Sequence, residues 1–110
     1  MIHVTIYKNE EHVCMGFNAI NHAGYAEEGQ DIVCAAASVL MINTINAIEH
    51  FTDERASEVS NEDEALIDYR LKDVPGHDAD LLLNTMILGI EELANDKNYE
   101  DYITIRFEEV

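Results

Sequence analysis

Alternation of apolar and polar residues predicts several β-strands. Residues 2–7, 65–72 and 102–107 each alternate between the two classes. A period of two is typical of strands that bury one face. Residues 13–21 follow a short polar turn, and we expect them to pair with the first strand as a hairpin. A further short strand is predicted over residues 55–59.

Two longer segments lack this alternation and are predicted to be helices. The first covers residues 32–50, with Asp31 as its N-cap. It is apolar on nearly every side, so we expect it to be buried from more than one direction. The second runs from a cap at Asp78 or Asp80 to about residue 95. Its core stripe is formed by Leu82, Leu83, Met86, Ile87, Ile90 and Leu93.

These elements predict an α+β fold, with two helices and a small, mostly antiparallel sheet in the approximate order ββα(β)βαβ. The chain has 110 residues without a linker or an internal repeat, which indicates a single domain over residues 1–110. No apolar run reaches the ~18 residues that a membrane span needs, and no signal-peptide pattern is present. We therefore expect a cytoplasmic protein that has no membrane partner.

The charge balance narrows the choice of partners. The chain carries 23 acidic and 6 basic residues, for a net charge of -17. Such a surface repels phosphate backbones, so direct binding to nucleic acid is not expected. It attracts a basic partner, although the same charge also serves solubility alone.

Cys14 and Cys34 are the two cysteines, and they are too far apart in sequence to form a CxxC motif. The spacing therefore supports neither a zinc site nor a thioredoxin-type pair. His77 with Asp78 and Asp80 is better explained as a helix-capping loop than as a metal site. We predict no metal and no cofactor.

The stretch from Asn21 to Ser38 combines a histidine at a strand end with a cysteine at a helix start. With Asp31 as N-cap, Cys34 would be the third helical residue, where the helix dipole favours the thiolate. His22 is suited to exchange protons near neutral pH. Asp31 has two interpretations, since it either caps the helix or orients His22; we favour the cap. From these residues alone, a buried structural cysteine explains Cys34 better than a catalytic one does.

The motif resembles the signature of the ribosomal-processing cysteine protease (Prp) family. The matching residues are Asn21, His22 and Ala23, followed by Asp31-Ile32-Val33-Cys34-Ala35-Ala36 and Ser38, and the resemblance extends over nearly the whole chain. One departure is Asn21, where the family usually has Gly. We interpret it as mild, because Asn tolerates a left-handed backbone better than other non-glycine residues.

The resemblance implies a cysteine endopeptidase with a dyad of Cys34 and His22. Family members remove a short N-terminal extension from large-subunit ribosomal protein twenty-seven by cleavage after an aromatic-rich segment. They are typically homodimers. Leu81 and Leu88 lie outside the core stripe of the second helix and are consistent with self-association. The predicted partners are thus a basic ribosomal-protein extension and a second copy of the chain.

Several neighbouring residues are supporting candidates. Ser38 lies one turn after Cys34 on the same helical face. Residues 23–30 form a predicted loop over the substrate, and its candidate residues are Ala23, Gly24, Tyr25 and Gly29. Two glycines in this loop suggest that it orders around a bound peptide.

Two other functions compete with the protease. A non-enzymatic ribosome-associated assembly protein would leave the spacing between His22 and Cys34 without a cause. A thiol redox sensor would need a resolving cysteine near Cys34 in sequence, and none is present. Cys14 lies on a strand, where a packing role is favoured.

Overall fold

The computed structural model describes residues 1–21, 28–61 and 66–110, and only the backbone of residues 28–30. Within these ranges two helices and five strands follow the order ββαββαβ. The elements are β1 (Ile2–Lys8), β2 (Cys14–Asn21), α1 (Glu28–Phe51), β3 (Ala56–Asn61), β4 (Leu66–Leu71), α2 (His77–Asn95) and β5 (Ile103–Glu109). The predicted α+β class is confirmed, including the short strand before β4.

The strands form one mixed sheet in the order β3-β4-β2-β1-β5. The β1–β2, β2–β4 and β3–β4 pairs are antiparallel, whereas β1 and β5 run parallel. The prediction of a mostly antiparallel sheet is therefore correct. Both helices contribute buried side chains to the same core as the sheet, and β3 forms one edge.

The outer face of the sheet carries a polar network centred on Asp68. Its carboxylate accepts hydrogen bonds from Tyr7, Asn18 and Arg70 at 2.9–3.0 Å. Partial burial acts to raise the pKa of Asp68, but the three hydrogen bonds and the nearby guanidinium hold it below its usual value. This network stabilises the face that lies opposite to the helices.

A bulge interrupts the β1–β2 ladder near Gly16. Tyr7 pairs with Gly16 but Lys8 pairs with Cys14, so β2 contains one extra residue there. Gly16 has φ +149°, and a Cβ atom at this position would overlap the carbonyl oxygen of Tyr69. Only glycine fits without distortion.

The bulge also changes which side chains of β2 enter the core. Cys14, Phe17 and Ala19 are all buried, with relative exposures of 3% or less. Simple alternation along residues 13–21 predicts that Cys14 shares a face with Asn18 and Ile20, and this prediction is wrong. An unrecognised extra residue shifted the alternation by one position.

α1 is buried on one side rather than from several directions. Its fully buried positions include Val33, Ala37 and Ile48, whereas Val39 remains 66% exposed and Ile42 48% exposed. The segment Asp31–Phe51 is long and apolar enough, with a mean hydropathy of 1.7, to span a membrane by composition alone. The buried side of the helix instead packs into the core of the domain.

α2 begins one turn earlier than a cap at Asp80 would imply. Gly76 occupies the N-cap position in an extended conformation, and Asp78 and Asp80 lie in the first turn. Neither acid is therefore the cap. Their positions are still favourable, because the helix dipole stabilises carboxylates inside the first turn. The predicted apolar stripe is confirmed, while Leu81 and Leu88 are 57% and 60% exposed.

Candidate active site

A cleft of about 320 Å³ lies where α1 meets the β2, β4 and β3 strands. Its apolar lining comes from both layers of the domain. Polar groups line it as well. The lining residues are Ile2, Ala19, Asn21, Cys34, Ser38, Met41, Ile42, Glu58, Ser60, Asn61, Leu66 and Ile67. Its volume is at the small end of the range of about 300–1,000 Å³ that is typical of ligand sites.

Cys34 places a thiol in the lining of this cleft. Its side chain is half-buried, and the Sγ atom is reduced. Because α1 begins at Glu28, Cys34 lies in the second turn rather than in the first. The helix dipole acts mainly within the first turn, so the argument that it activates Cys34 loses its basis.

Asp31 is exposed and lies within the first turn of α1, three residues after Glu28. It is therefore not the N-cap, and the preferred interpretation of this residue is wrong. Gly29 likewise belongs to the helical backbone instead of the predicted loop. Asp is common at caps, but it is also stable in a first turn, so sequence alone did not locate the helix start.

Asn21 contacts the thiol directly. Its side-chain Nδ2 lies 3.5 Å from Sγ of Cys34 and donates a hydrogen bond to it. Asn21 is the last residue of β2 and pairs with Ile2 of β1 in extended conformation. The tolerance of Asn for a left-handed backbone is not needed here, because Asn21 is an ordinary strand residue.

The contact between Asn21 and Cys34 was missed at the sequence level. A usable signal was the position of Asn21, two residues after the apolar Ala19 on β2. Side chains two apart on a strand share a face, so Asn21 points to the side on which α1 packs. Recognition of that face requires the bulge at Gly16, which the alternation did not reveal.

Ser38 lines the same cleft one turn after Cys34, as predicted from their spacing. Beside these two polar groups the floor is apolar. Ala19, Met41 and Ile67 present aliphatic surface to the interior. The cleft therefore offers a nucleophile and an amide donor above a surface that suits an apolar side chain.

Cys14 occupies a different environment. It is 1% exposed, and its thiol donates to the carbonyl oxygen of Gly16 at 3.4 Å. Burial raises the pKa of the Cys14 thiol above its ordinary value. A buried thiol of this kind is inert, in agreement with the favoured packing role.

The remaining candidates from the sequence are the proposed base and three residues of the predicted loop. His22, Ala23, Gly24 and Tyr25 lie outside the described residues, so the dyad and the loop remain predictions. Within residues 1–21, 28–61 and 66–110, no group of three or more histidine, cysteine or acidic side chains is arranged to hold a metal ion.

Comparisons with known proteins point to one family. A family profile described as cysteine protease Prp matches residues 1–104. The ribosomal processing cysteine protease Prp of Staphylococcus aureus strain Mu50 is 32% identical over 98 residues, which are 89% of this chain and 92% of that protein. The Bacillus subtilis protein of the same name is 35% identical over 48 residues, 44% of this chain and 43% of that protein.

Solved structures agree with the sequence comparison. The crystal structure of S. aureus Prp in complex with a substrate peptide superposes with a TM-score of 0.90 and 29% identity, covering 98% of this chain and 100% of that chain. S. aureus Prp with a covalently linked product peptide gives a TM-score of 0.85 and 30% identity over the same shares of the two chains. The similarity therefore extends over nearly the whole chain.

Proposed function

Because the chain belongs to the cysteine protease Prp family, we propose that it removes the N-terminal extension of large-subunit ribosomal protein twenty-seven in the cytoplasm. Cys34 is the nucleophile and His22 is the base of this site-specific endopeptidase. The observation that carries the proposal is the position of Cys34 Sγ in an apolar cleft, beside a hydrogen-bond donor.

The reaction proceeds through a covalent acyl-enzyme. His22 accepts the thiol proton, and Sγ of Cys34 attacks the carbonyl carbon of the scissile peptide. The leaving amine then takes the proton from the imidazolium, and water hydrolyses the thioester. A crystal structure of S. aureus Prp contains a covalently linked product peptide, which supports a covalent route for this chain as well.

The composition of the cleft supports an aromatic-containing substrate. Ala19, Met41 and Ile67 provide apolar contacts for a ring, and the volume of about 320 Å³ accepts one or two side chains. Glu58 lies at the rim on the edge strand β3 and is exposed. It provides a local carboxylate for a basic residue of the extension, within the field of a protein of net charge -17.

The proposal is tested by incubation of the protein with the extended ribosomal protein. Mass spectrometry is expected to show a single cut that releases the N-terminal extension. The rate constant kcat/KM is expected to fall as salt rises, because ions screen attraction between exposed charges. A precursor that stays intact with wild-type protein, under conditions where the S. aureus enzyme cleaves it, would refute the proposal.

Neutralising Glu58 is expected to weaken substrate binding without changing the chemistry. An exposed ion pair contributes ~0.2–1 kcal/mol, so Glu58→Gln should raise KM by about 1.5- to 5-fold and leave kcat unaltered. Glu108→Gln removes the same charge from β5, at the opposite edge of the sheet, and serves as the matched control. Equal effects of the two variants would mean that only net charge matters.

We also propose a homodimer that forms through the helical layer. Leu81 and Leu88 on α2 are 57% and 60% exposed, and Val39 on α1 is 66% exposed. Together with small residues in a groove between the two helices, they leave apolar surface that a second copy would cover.

Light scattering at roughly 10–50 micromolar, a range suited to moderate affinities, is expected to give twice the mass of one chain. Leu81→Asp combined with Leu88→Asp should shift the protein to monomers, because a buried unpaired carboxylate is costly. Val74→Asp places a charge at a valine that is 61% exposed outside the helices and should leave the dimer intact. Monomeric wild-type protein would refute this assembly.

A further inference from the structure

We propose that the side-chain amide of Asn21 is the oxyanion donor of the active site, a role that rests on the proposed cysteine protease mechanism. The Nδ2 atom lies 3.5 Å from Sγ of Cys34, and both groups line the same cleft. The oxygen that becomes negative during the attack is bonded to the carbon that Sγ approaches. A donor in contact with the sulfur is therefore close to that oxygen.

The helix geometry excludes the donor that a cysteine at a helix start would supply. Only the first few N–H groups of an α-helix lack an intrahelical partner. Cys34 lies six residues after the first residue of α1, so its own N–H is engaged with the carbonyl four residues earlier. The negative oxygen must be stabilised by a group outside the helix, and Asn21 is such a group.

Asn21 can donate to the sulfur of Cys34 or to the oxyanion, and the hydrogen bond to sulfur is the weaker of the two. At 3.5 Å, an amide N–H to sulfur is a long hydrogen bond, whereas an oxyanion is a strong acceptor at shorter distance. A thiolate carries no proton to donate, so the amide must present its N–H group toward the sulfur. Stabilisation that increases from ground state to transition state accelerates the reaction.

The backbone that carries the amide is held in the sheet before substrate arrives. Asn21 ends β2 and is paired with Ile2 in the centre of the sheet. Ile2 is 3% exposed, and its N–H donates to the carbonyl of Tyr102 at 2.9 Å. A donor held on a central strand requires little reorganisation during the reaction, which is the condition for effective oxyanion stabilisation.

Each bond that forms during peptide cleavage is matched by one that breaks. The thiolate of Cys34 forms the C–S bond, and the carbonyl π pair moves onto oxygen, which accepts a hydrogen bond from the Asn21 side-chain N–H as its negative charge develops. When the carbonyl reforms, the C–N bond breaks and the amine leaves with the proton held by His22. Hydrolysis of the thioester by water passes through a second oxyanion at the same place and regenerates the thiol.

Two reactions of Cys34 separate this role from a merely structural one. Cleavage of the substrate peptide forms an oxyanion, whereas alkylation by iodoacetamide displaces iodide from a saturated carbon and forms none. Removal of one oxyanion donor typically lowers kcat by about 10² to 10³. Asn21→Ala is thus expected to lower kcat by at least about tenfold, with KM and the alkylation rate of Cys34 each within about twofold of wild type.

Asn21→Asp keeps the shape of the side chain but removes both N–H donors, so it should lower kcat as strongly even if the alanine variant folds poorly. Asn46→Asp makes the same chemical change at an exposed position of α1 and should retain wild-type kcat. Unaltered kcat in both Asn21 variants would overturn the proposal. Equal losses of alkylation and cleavage in Asn21→Ala would overturn it too, because Asn21 would then act on the thiol itself.

The outcome is distinguishable from failure of the proposed function. If Asn21 is dispensable but Cys34→Ala is inactive, the cysteine protease mechanism stands and only the oxyanion donor is wrong. If Cys34→Ala still cleaves the peptide, the proposed function fails regardless of the result at Asn21.

Discussion

Replacement of Cys34 by Ala or Ser is expected to abolish peptide cleavage. Loss of the nucleophile in a serine protease lowers kcat by ~10⁶-fold, and we expect a loss on the order of 10⁴-fold or more here. The serine hydroxyl does not rescue the reaction, because it is a far weaker nucleophile in a site shaped for a thiolate. Cleavage is followed by mass spectrometry of the extended ribosomal protein.

Cys14 provides an internal control for this experiment. Cys34 is half-buried at the cleft, so a small residue should be tolerated there and the melting temperature should change little. Cys14 is 1% exposed, and Cys14→Ala should destabilise the fold by roughly 1 to 3 kcal/mol while the folded molecules remain active. Cleavage by Cys34→Ala near the wild-type rate would remove Cys34 from the mechanism.

The two thiols should also differ in reactivity. Burial raises the pKa of Cys14, which keeps it protonated and shielded at neutral pH. Brief alkylation of the native protein should therefore modify Cys34 and leave Cys14 intact. Modification of both cysteines to the same extent would contradict the assignment of Cys14 to the core.

The strands were predictable where apolar and polar residues alternate along them. In β1, Ile2, Val4 and Ile6 are nearly inaccessible while His3 is exposed, so the period of two is visible in the sequence. The prediction failed where a single residue breaks that period. The bulge at Gly16 is recognisable only from the close approach of Tyr69, which is a contact distant in sequence.

The starts of both helices were less predictable. Asp31 and the acids of α2 were interpreted as caps, and the structure places them within the first turns. Carboxylates are stabilised at both kinds of position, since free N–H groups and the helix dipole act in the same direction. Local preference therefore leaves an uncertainty of about one turn, and the position of Cys34 relative to the dipole depended on that turn.

The assignment of Cys34 as the nucleophile stays a prediction, but its structural surroundings differ from those expected from the sequence. The resemblance pointed to Cys34, and the structure places its Sγ in the cleft with Ser38. The physical argument from the helix start fails, whereas the contact from Asn21 replaces it with a polar partner. A residue that looked like a minor departure from the family signature is thus a direct neighbour of the Cys34 thiol.

The loop predicted over residues 23–30 is shorter in the structure, because its last three residues are helical. Residues 28–30 belong to α1, so the first turn of the helix replaces the end of the predicted loop. The rest of that segment lies outside the described residues. Hydrogen exchange of the loop with and without an uncleavable peptide remains the measurement that tests whether it orders over a substrate.

Substitution of His22 is expected to separate chemistry from binding. A general acid–base group typically contributes about 10²- to 10⁴-fold, so His22→Ala should lower kcat by that amount and leave KM nearly unchanged. The pairing of His22 with Cys34 is the one that the family resemblance implies, and the substitution tests it directly. The measurement is steady-state cleavage of the peptide over a range of pH.

Two controls make the result specific to proton transfer. His77→Ala removes an exposed histidine at the start of α2 and should retain full activity. Added imidazole should restore part of the turnover of His22→Ala, because a diffusible base can accept the thiol proton when the side chain is absent. A large rise in KM with unaltered kcat would instead assign His22 to substrate binding, and the thiol of Cys34 would then need a different base.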